Sequence, residues 1–229
     1  MLQQSALSWI IFVALCLSGP ALFAQAPEND RADEAYSVSP YPMGNRPASA
    51  RAAAFIRLFD TENVGNLRVY AARDGELDRE YPFKGQAVPE RFWDMLPEPY
   101  LSELQRRGGT AYAVYRIKGN RGEHYLLRLP TEKGEHTLVL FDLYGEQLGL
   151  INVLAYAYCG EKGCRQQDSF LTDLDGDTDL DILTKYAASP RAVPRSVVHL
   201  QQNDGGYETV MGWGTAIDLD AYNMRPVFW

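Results

Sequence analysis

Cysteine and histidine are scarce, with three of each in 229 residues, and this removes several kinds of chemistry at once. Cys16, Cys159 and Cys164 are joined by no second pair or neighbouring histidine that would complete the four ligands of a zinc site. Four residues separate Cys159 from Cys164, whereas the thiol redox motif has two. His124, His136 and His199 fall in separate expected strands or turns, so each reads as a surface or packing residue rather than a general base. Basic charge is short as well. The 22 Lys and Arg face 30 Asp and Glu, for a net charge of −8, and no basic patch offers itself to nucleic acid or an anionic membrane surface. The apolar run from Trp9 to Leu17 falls far short of the roughly 20 residues that cross a bilayer. The nucleophile elbow G-x-S-x-G, the P-loop, H-E-x-x-H and the dinucleotide fingerprint are all missing. Methionine is sparse, at 5, beside 14 tyrosines and 19 glycines, a balance that leans toward strands and turns.

What is present begins with an export signal. Residues 1–24 carry no charged side chain, and Trp9–Leu17 is followed by the helix breakers Ser18, Gly19 and Pro20 and by small residues ending at Ala24. This is the layout of a cleavable signal peptide, with Gln25 as the expected mature terminus and Pro27 as the alternative. Leu15 precedes Cys16 where a lipoprotein signal needs a small residue, so lipidation is not expected. Residues 25–46 are rich in Pro, Asn, Asp, Glu, Ser and Gly and read as a flexible tether. Residues 47–229 read as one β-rich domain, long enough to bury a single good core. Once Cys16 leaves with the signal, Cys159 and Cys164 are an even pair in an oxidising compartment and are expected to form a disulfide.

Within the domain, Ala52, Phe55, Ile56 and Phe59 suit a short helix, and Phe55–Phe59 suits a strand equally well. Residues 89–107 give the best helical reading. Pro97 divides it, Gly108 and Gly109 end it, and Trp93, Met95, Leu96, Leu101 and Leu104 are its expected buried face. Strands are expected at Leu67–Ala71, Tyr112–Ile117, Tyr125–Leu129, Thr137–Phe141, Leu148–Tyr158, Ile182–Tyr186, Ser196–Gln201 and Tyr207–Met211. Turns at Gly119–Gly122 and Tyr144–Glu146 separate them. The fold class is mainly β: an antiparallel β-meander or a small propeller-like or sandwich sheet, with a helical insertion near 89–107. The closing Pro226–Trp229 reads as a docked or frayed tail, because Asn223 and Arg225 spoil the alternation of an outer-membrane strand.

The sharpest signal is the run Asp173-Leu174-Asp175-Gly176-Asp177-Thr178-Asp179-Leu180-Asp181. In a tight loop alternate side chains turn inward, so Asp173, Asp175 and Asp177 converge. Gly176 lets the backbone bend, Asp179 offers its carbonyl oxygen, and Asp181 closes the shell as the next strand begins. Calcium is a hard cation taking six to eight oxygens, and it would relieve the repulsion that so many neighbouring carboxylates generate. An EF-hand needs Gly at position six and Glu at position twelve, where Thr178 and Thr184 stand.

An acidic ninth residue running straight into a hydrophobic strand resembles instead the FG-GAP repeat of integrin-type propellers and related VCBS proteins. Ser169–Thr172 is similar to that repeat's lead-in strand, and Val198–Tyr207 to its later strand, Asn/Gly turn and aromatic restart. The resemblance covers residues 168–210, with Thr178 in place of the common glycine. A second trace, Asp142–Glu146, matches the opening of the loop without its ligands. The resemblance implies an extracellular or surface protein in which calcium rigidifies a blade, in a family many of whose members bind proteins or glycans; the export signal makes the expected location periplasmic or extracellular. The leading expectation is therefore a non-catalytic binding or structural role. A secreted hydrolase with a structural calcium, using a carboxylate pair that meets only in the fold, is the alternative.

Overall fold

The computed structural model describes residues 49–63, 65–75, 77–161, 163–189, 195–211 and 218–225. The expected signal (1–24), tether (25–46) and closing residues 226–229 lie outside the described residues.

Ser49 opens helix α1, Ala50–Ile56, its hydroxyl accepting the Ala52 amide at 3.1 Å in an N-cap. The ambiguity over this segment thus resolves as a helix. Its period runs past its end: Phe59 lies in the following turn and packs edge-on against Phe55, with ring centroids 5.1 Å apart. Strands β1 (Asp60–Asn63), β2 (Asn66–Tyr70) and β3 (Gln86–Ala87) follow. The helical segment forms a 3-10 turn, Glu90–Met95, and helix α2, Glu98–Arg107. Leu96 and Pro97 divide them, and Gly108 ends α2 at φ 61°, a left-handed conformation that glycine adopts without a Cβ penalty. Met95, Leu96 and Leu104 are buried as expected, while Trp93 and Leu101 are half-buried and Phe92 takes a buried place not foreseen.

A meander then runs through β4 (Tyr112–Gly119), β5 (Gly122–Thr131), β6 (Gly134–Tyr144), β7 (Gln147–Gly160), β8 (Gly163–Thr172), β9 (Asp181–Ala188), β10 (Arg195–Gln201) and β11 (Tyr207–Met211). These strands pair antiparallel with their neighbours in sequence, β1 adds to β4 in parallel, and β2 and β3 pair with β8 and β4. Among the alternatives for the fold, the chain builds the meander, as one open mixed sheet.

Strand β7 is the pivot. Its first part, through Ala155, pairs with β6, and Tyr156–Gly160 pair with β8. Two halves of the sheet therefore share a core, in which Ile117, Leu126, Leu138 and Leu140 of one half meet Val69, Leu171 and Ile182 of the other. Period-two alternation sorts the remaining side chains to the opposite face. There Leu127, Val139 and Phe141 pack under α1, the 3-10 turn and α2 through Phe55, Phe92, Met95 and Leu104. With both faces covered, β5 and β6 are buried almost throughout. Each large apolar side chain so enclosed contributes about 1.5–3 kcal/mol. A third cluster, Phe170, Leu183 and Val198, lies on the far face of the second half, with Leu219 and Tyr222 against it.

Candidate metal centre

The aspartate loop leaves β8 at Thr172 and enters β9 at Asp181, beside the two-residue turn joining β4 to β5. One carboxylate oxygen from each of Asp173, Asp175, Asp177 and Asp181 lies within 4.8 Å of all the others. The first three are exposed and Asp181 is buried. The expected convergence of these four side chains is thus present.

The loop's own amides hold this arrangement. Asp173 accepts from Gly176 at 2.7 Å and from Thr178 at 3.0 Å. Asp175 accepts from Asp177 at 3.2 Å, and Asp177 from Asp179 at 2.9 Å. Asp181 accepts from Leu174 at 2.8 Å and from Gln201, on β10, at 2.9 Å. Burial pushes the Asp181 carboxyl up to about 6; the Gln201 and Leu174 amides oppose this, and Asp175 and Asp177 add to it.

The fifth aspartate behaves differently. Asp179 is buried, and its carboxylate accepts from Arg121 Nε at 2.7 Å rather than joining the other four. Asp179 is therefore set apart from the other four by its side chain, and the expectation for it concerns its carbonyl oxygen alone. Arg121 also donates to Asn203 Oδ1 at 2.7 Å, tying the turn after β10 to the turn after β4.

Thr178 adopts φ 71°, the left-handed region that a β-branched residue avoids. This is the position where the resemblance calls for glycine. Asn120 Nδ2 compensates by donating to the Thr178 carbonyl at 2.7 Å and to its hydroxyl at 2.9 Å. Gly176, at φ 86°, supplies the other left-handed bend.

Beneath the loop runs a polar network that sequence reasoning missed. Gln201 Oε1 accepts the Leu180 amide at 3.1 Å, and Gln201 Nε2 faces His124 Nε2 at 3.4 Å. His124 Nδ1 meets Asp142 Oδ1 at 2.6 Å, and Tyr144 donates to Asp142 Oδ2 at 2.9 Å. The Gln201 amide and the Tyr207 hydroxyl thus face Nε2 while Nδ1 faces the carboxylate. Asp142, which reads in sequence as the trace of a second loop, is instead a buried β6 residue paired with His124.

Cys159 and Cys164 face each other across the β7–β8 hairpin and are joined, with Cα atoms 4.0 Å apart. Two shallow surface depressions of about 530 and 430 Å³ flank Trp93, between the 3-10 turn and α2. Asp168 and Asp181, the two carboxyls that burial raises to about 6, line neither of them. No family model, curated protein or solved structure matches this chain.

Proposed function

We propose that this chain is an exported protein that binds one calcium ion in the loop 173–181, the ion rigidifying a β-sheet with a non-catalytic binding or structural role. The observation that carries the reading is the convergence of four carboxylates within 4.8 Å. Such a donor set is hard, anionic and all oxygen, which suits calcium and gives a soft metal nothing to prefer. Asp173, Asp175, Asp177 and Asp181 would hold the ion, the Asp179 carbonyl would add a fifth protein oxygen, and water would complete the shell. The FG-GAP-like reading is supported by the loop's position between β8 and β9 and by β10 and β11, which follow where that repeat's later strands belong. Export is supported by the joined Cys159 and Cys164, since disulfides persist in oxidising compartments. Among the described residues no helix is long and apolar enough to cross a membrane.

Calorimetry on the exported protein tests the reading. Calcium should bind with one-site stoichiometry, and magnesium should compete poorly because it demands a smaller octahedron and keeps its water. Asp177→Ala should abolish the binding, whereas Asp218→Ala should not, since Asp218 only caps the short turn at Leu219–Ala221. An intact mass beginning at Gln25 tests the export arm. Absence of any heat at millimolar calcium would return the loop to a solvated acidic turn.

A further inference from the structure

The far face of the second half-sheet carries buried polar side chains with partners outside the sheet. Gln166 and Asp168 alternate along β8 on the face that also bears Phe170, and they are 1% and 0% exposed. Gln167, Ser169 and Leu171 turn the other way. Gln167 and Ser169 donate to the β7 carbonyls of Val153 and Leu154, and Leu171 enters the central core. Among the described residues, Gln166 and Asp168 meet the segment Leu219–Arg225. Gln166 Nε2 donates to the Arg225 carbonyl, and the Arg225 amide donates to Asp168 Oδ2 at 2.7 Å. Lys185, which lies opposite Asp168 on β9, donates to the Leu219 carbonyl. Side chains of two adjacent strands thus grip the main chain of this segment at both ends.

Between these grips the contacts are with side chains. Tyr222 stands edge-on to Phe170 with centroids 5.1 Å apart, and the Arg225 guanidinium lies 4.5 Å from the Tyr70 ring centroid. Arg68 also donates to Asp168, at 3.2 Å, and balances its charge. The grip is not ordinary strand addition. β8 is paired on one side by β9 and on the other by β7 and β2, so it has no free edge. Recognition is instead by a Gln–Asp pair that supplies one donor and one acceptor to a single residue's carbonyl and amide. Those groups are common to every peptide, so selectivity rests on the aromatic and arginine seats.

We propose that this face is a peptide-binding site that the chain's own residues 219–225 fill in cis, and that its ligand class in trans is a polypeptide segment that opens with a single turn and carries an aromatic residue three positions before an arginine. The inference does not rest on calcium binding, and chelation should leave it unchanged. A tethered segment competes at a high effective concentration, so the trans ligand binds best when the resident segment is loosened.

The probe is a fluorescein-labelled synthetic peptide of residues 218–225, followed by anisotropy on the full chain carrying Tyr222→Ala and Arg225→Ala. Saturable binding is expected, at least tenfold weaker when Asp168→Ala is added and at least tenfold weaker on the unsubstituted chain. No saturable binding to the loosened chain, or equal binding with and without Asp168 or the native segment, overturns the proposal. Hydrogen exchange on the unsubstituted chain gives a second reading that needs no variant to bind. The Arg225 amide should be protected at least tenfold over an unstructured peptide, and exchange at the unstructured rate overturns the seat itself.

Discussion

Replacing Asp175 by Asn separates a calcium loop from an acidic turn, because the two readings assign opposite signs to the same substitution. At the outer spacing of 4.8 Å two carboxylates in water repel by about 0.9 kcal/mol. Asp175 has three such neighbours, and it is exposed, so the water value applies and physiological salt removes roughly half of the total. Part of what remains persists in the unfolded chain, where Asp173 and Asp177 are still close in sequence. Without calcium, Asp175→Asn should therefore stabilise the fold by about 1 kcal/mol, or a melting temperature 2–4 °C higher. The amide keeps the oxygen that accepts the Asp177 N–H, so no local bond is lost to obscure the gain. With calcium at 100 times the dissociation constant, the native loop gains about 2.7 kcal/mol that a loop lacking one anionic ligand does not. The order of melting temperatures should then reverse. Differential scanning calorimetry in chelator and in calcium checks this directly. Equal destabilisation by Asp175→Asn in both conditions would refute the reasoning, because it would show neither carboxylate repulsion without calcium nor an anionic ligand with it.

The joined cysteines should resist thiol labelling until reductant is added, and replacing both by serine should cost about 2 kcal/mol, since the loop is short and the hairpin ladder already closes it. Thr178→Gly should stabilise the fold by about 0.5–1 kcal/mol in urea unfolding, relieving the left-handed strain while Asn120 keeps its bond to the carbonyl. Burial raises Asp168 to about 6, so its contribution to stability is full below its ordinary 3.8 and is lost as pH rises through about 6. Asp168→Asn should flatten the stability profile across that window and raise stability at pH 7 by on the order of 1–3 kcal/mol. Burial lowers His199 to about 4, with the opposite sign: its contribution is full above 6.5 and is lost as pH falls through about 4, so His199→Gln should lessen acid sensitivity.

The parts of this fold legible in the sequence are those whose pattern is local. Pro97 and Gly108 break and end the helical segment by backbone geometry alone, and the alternation of β4 to β7 survives because each face has its own apolar layer. β1 was not legible: its residues, Asp-Thr-Glu-Asn, are polar, and only pairing with β4 makes them a strand. The first half of β8 was hidden for a related reason. Its Arg165, Gln166, Gln167 and Asp168 are polar and carry no strand signal, but Gln167 bonds to a carbonyl on one face and Gln166 and Asp168 bond to Arg225 on the other. In the candidate site, the four converging carboxylates followed from spacing, and the distinct fate of the Asp179 carboxylate did not. Nothing in the local run marks it apart; what does so is Arg121, which lies 58 residues away in sequence.

That distant contact bears on how the loop holds its shape. Carboxylates within 4.8 Å would be expected to splay apart if only the chain between them set their positions. Here each is restrained by backbone amides of the loop, and hydrogen bonds to a charged acceptor are worth roughly 1.5–3 kcal/mol apiece. Three further elements hold the frame: Asn120 at the strained Thr178, Arg121 at Asp179, and Gln201 at Leu180 and Asp181. Gln201 in turn faces His124, whose pairing with Asp142 lies in the buried body of the sheet. The work of ordering the loop is therefore done by the protein's own bonds, and a cation arriving there would not have to supply it. Because β4–β5, β10 and the turn after β10 all converge on these nine residues, an ion held among the four aspartates would brace three hairpin ends together rather than stiffen a loop alone.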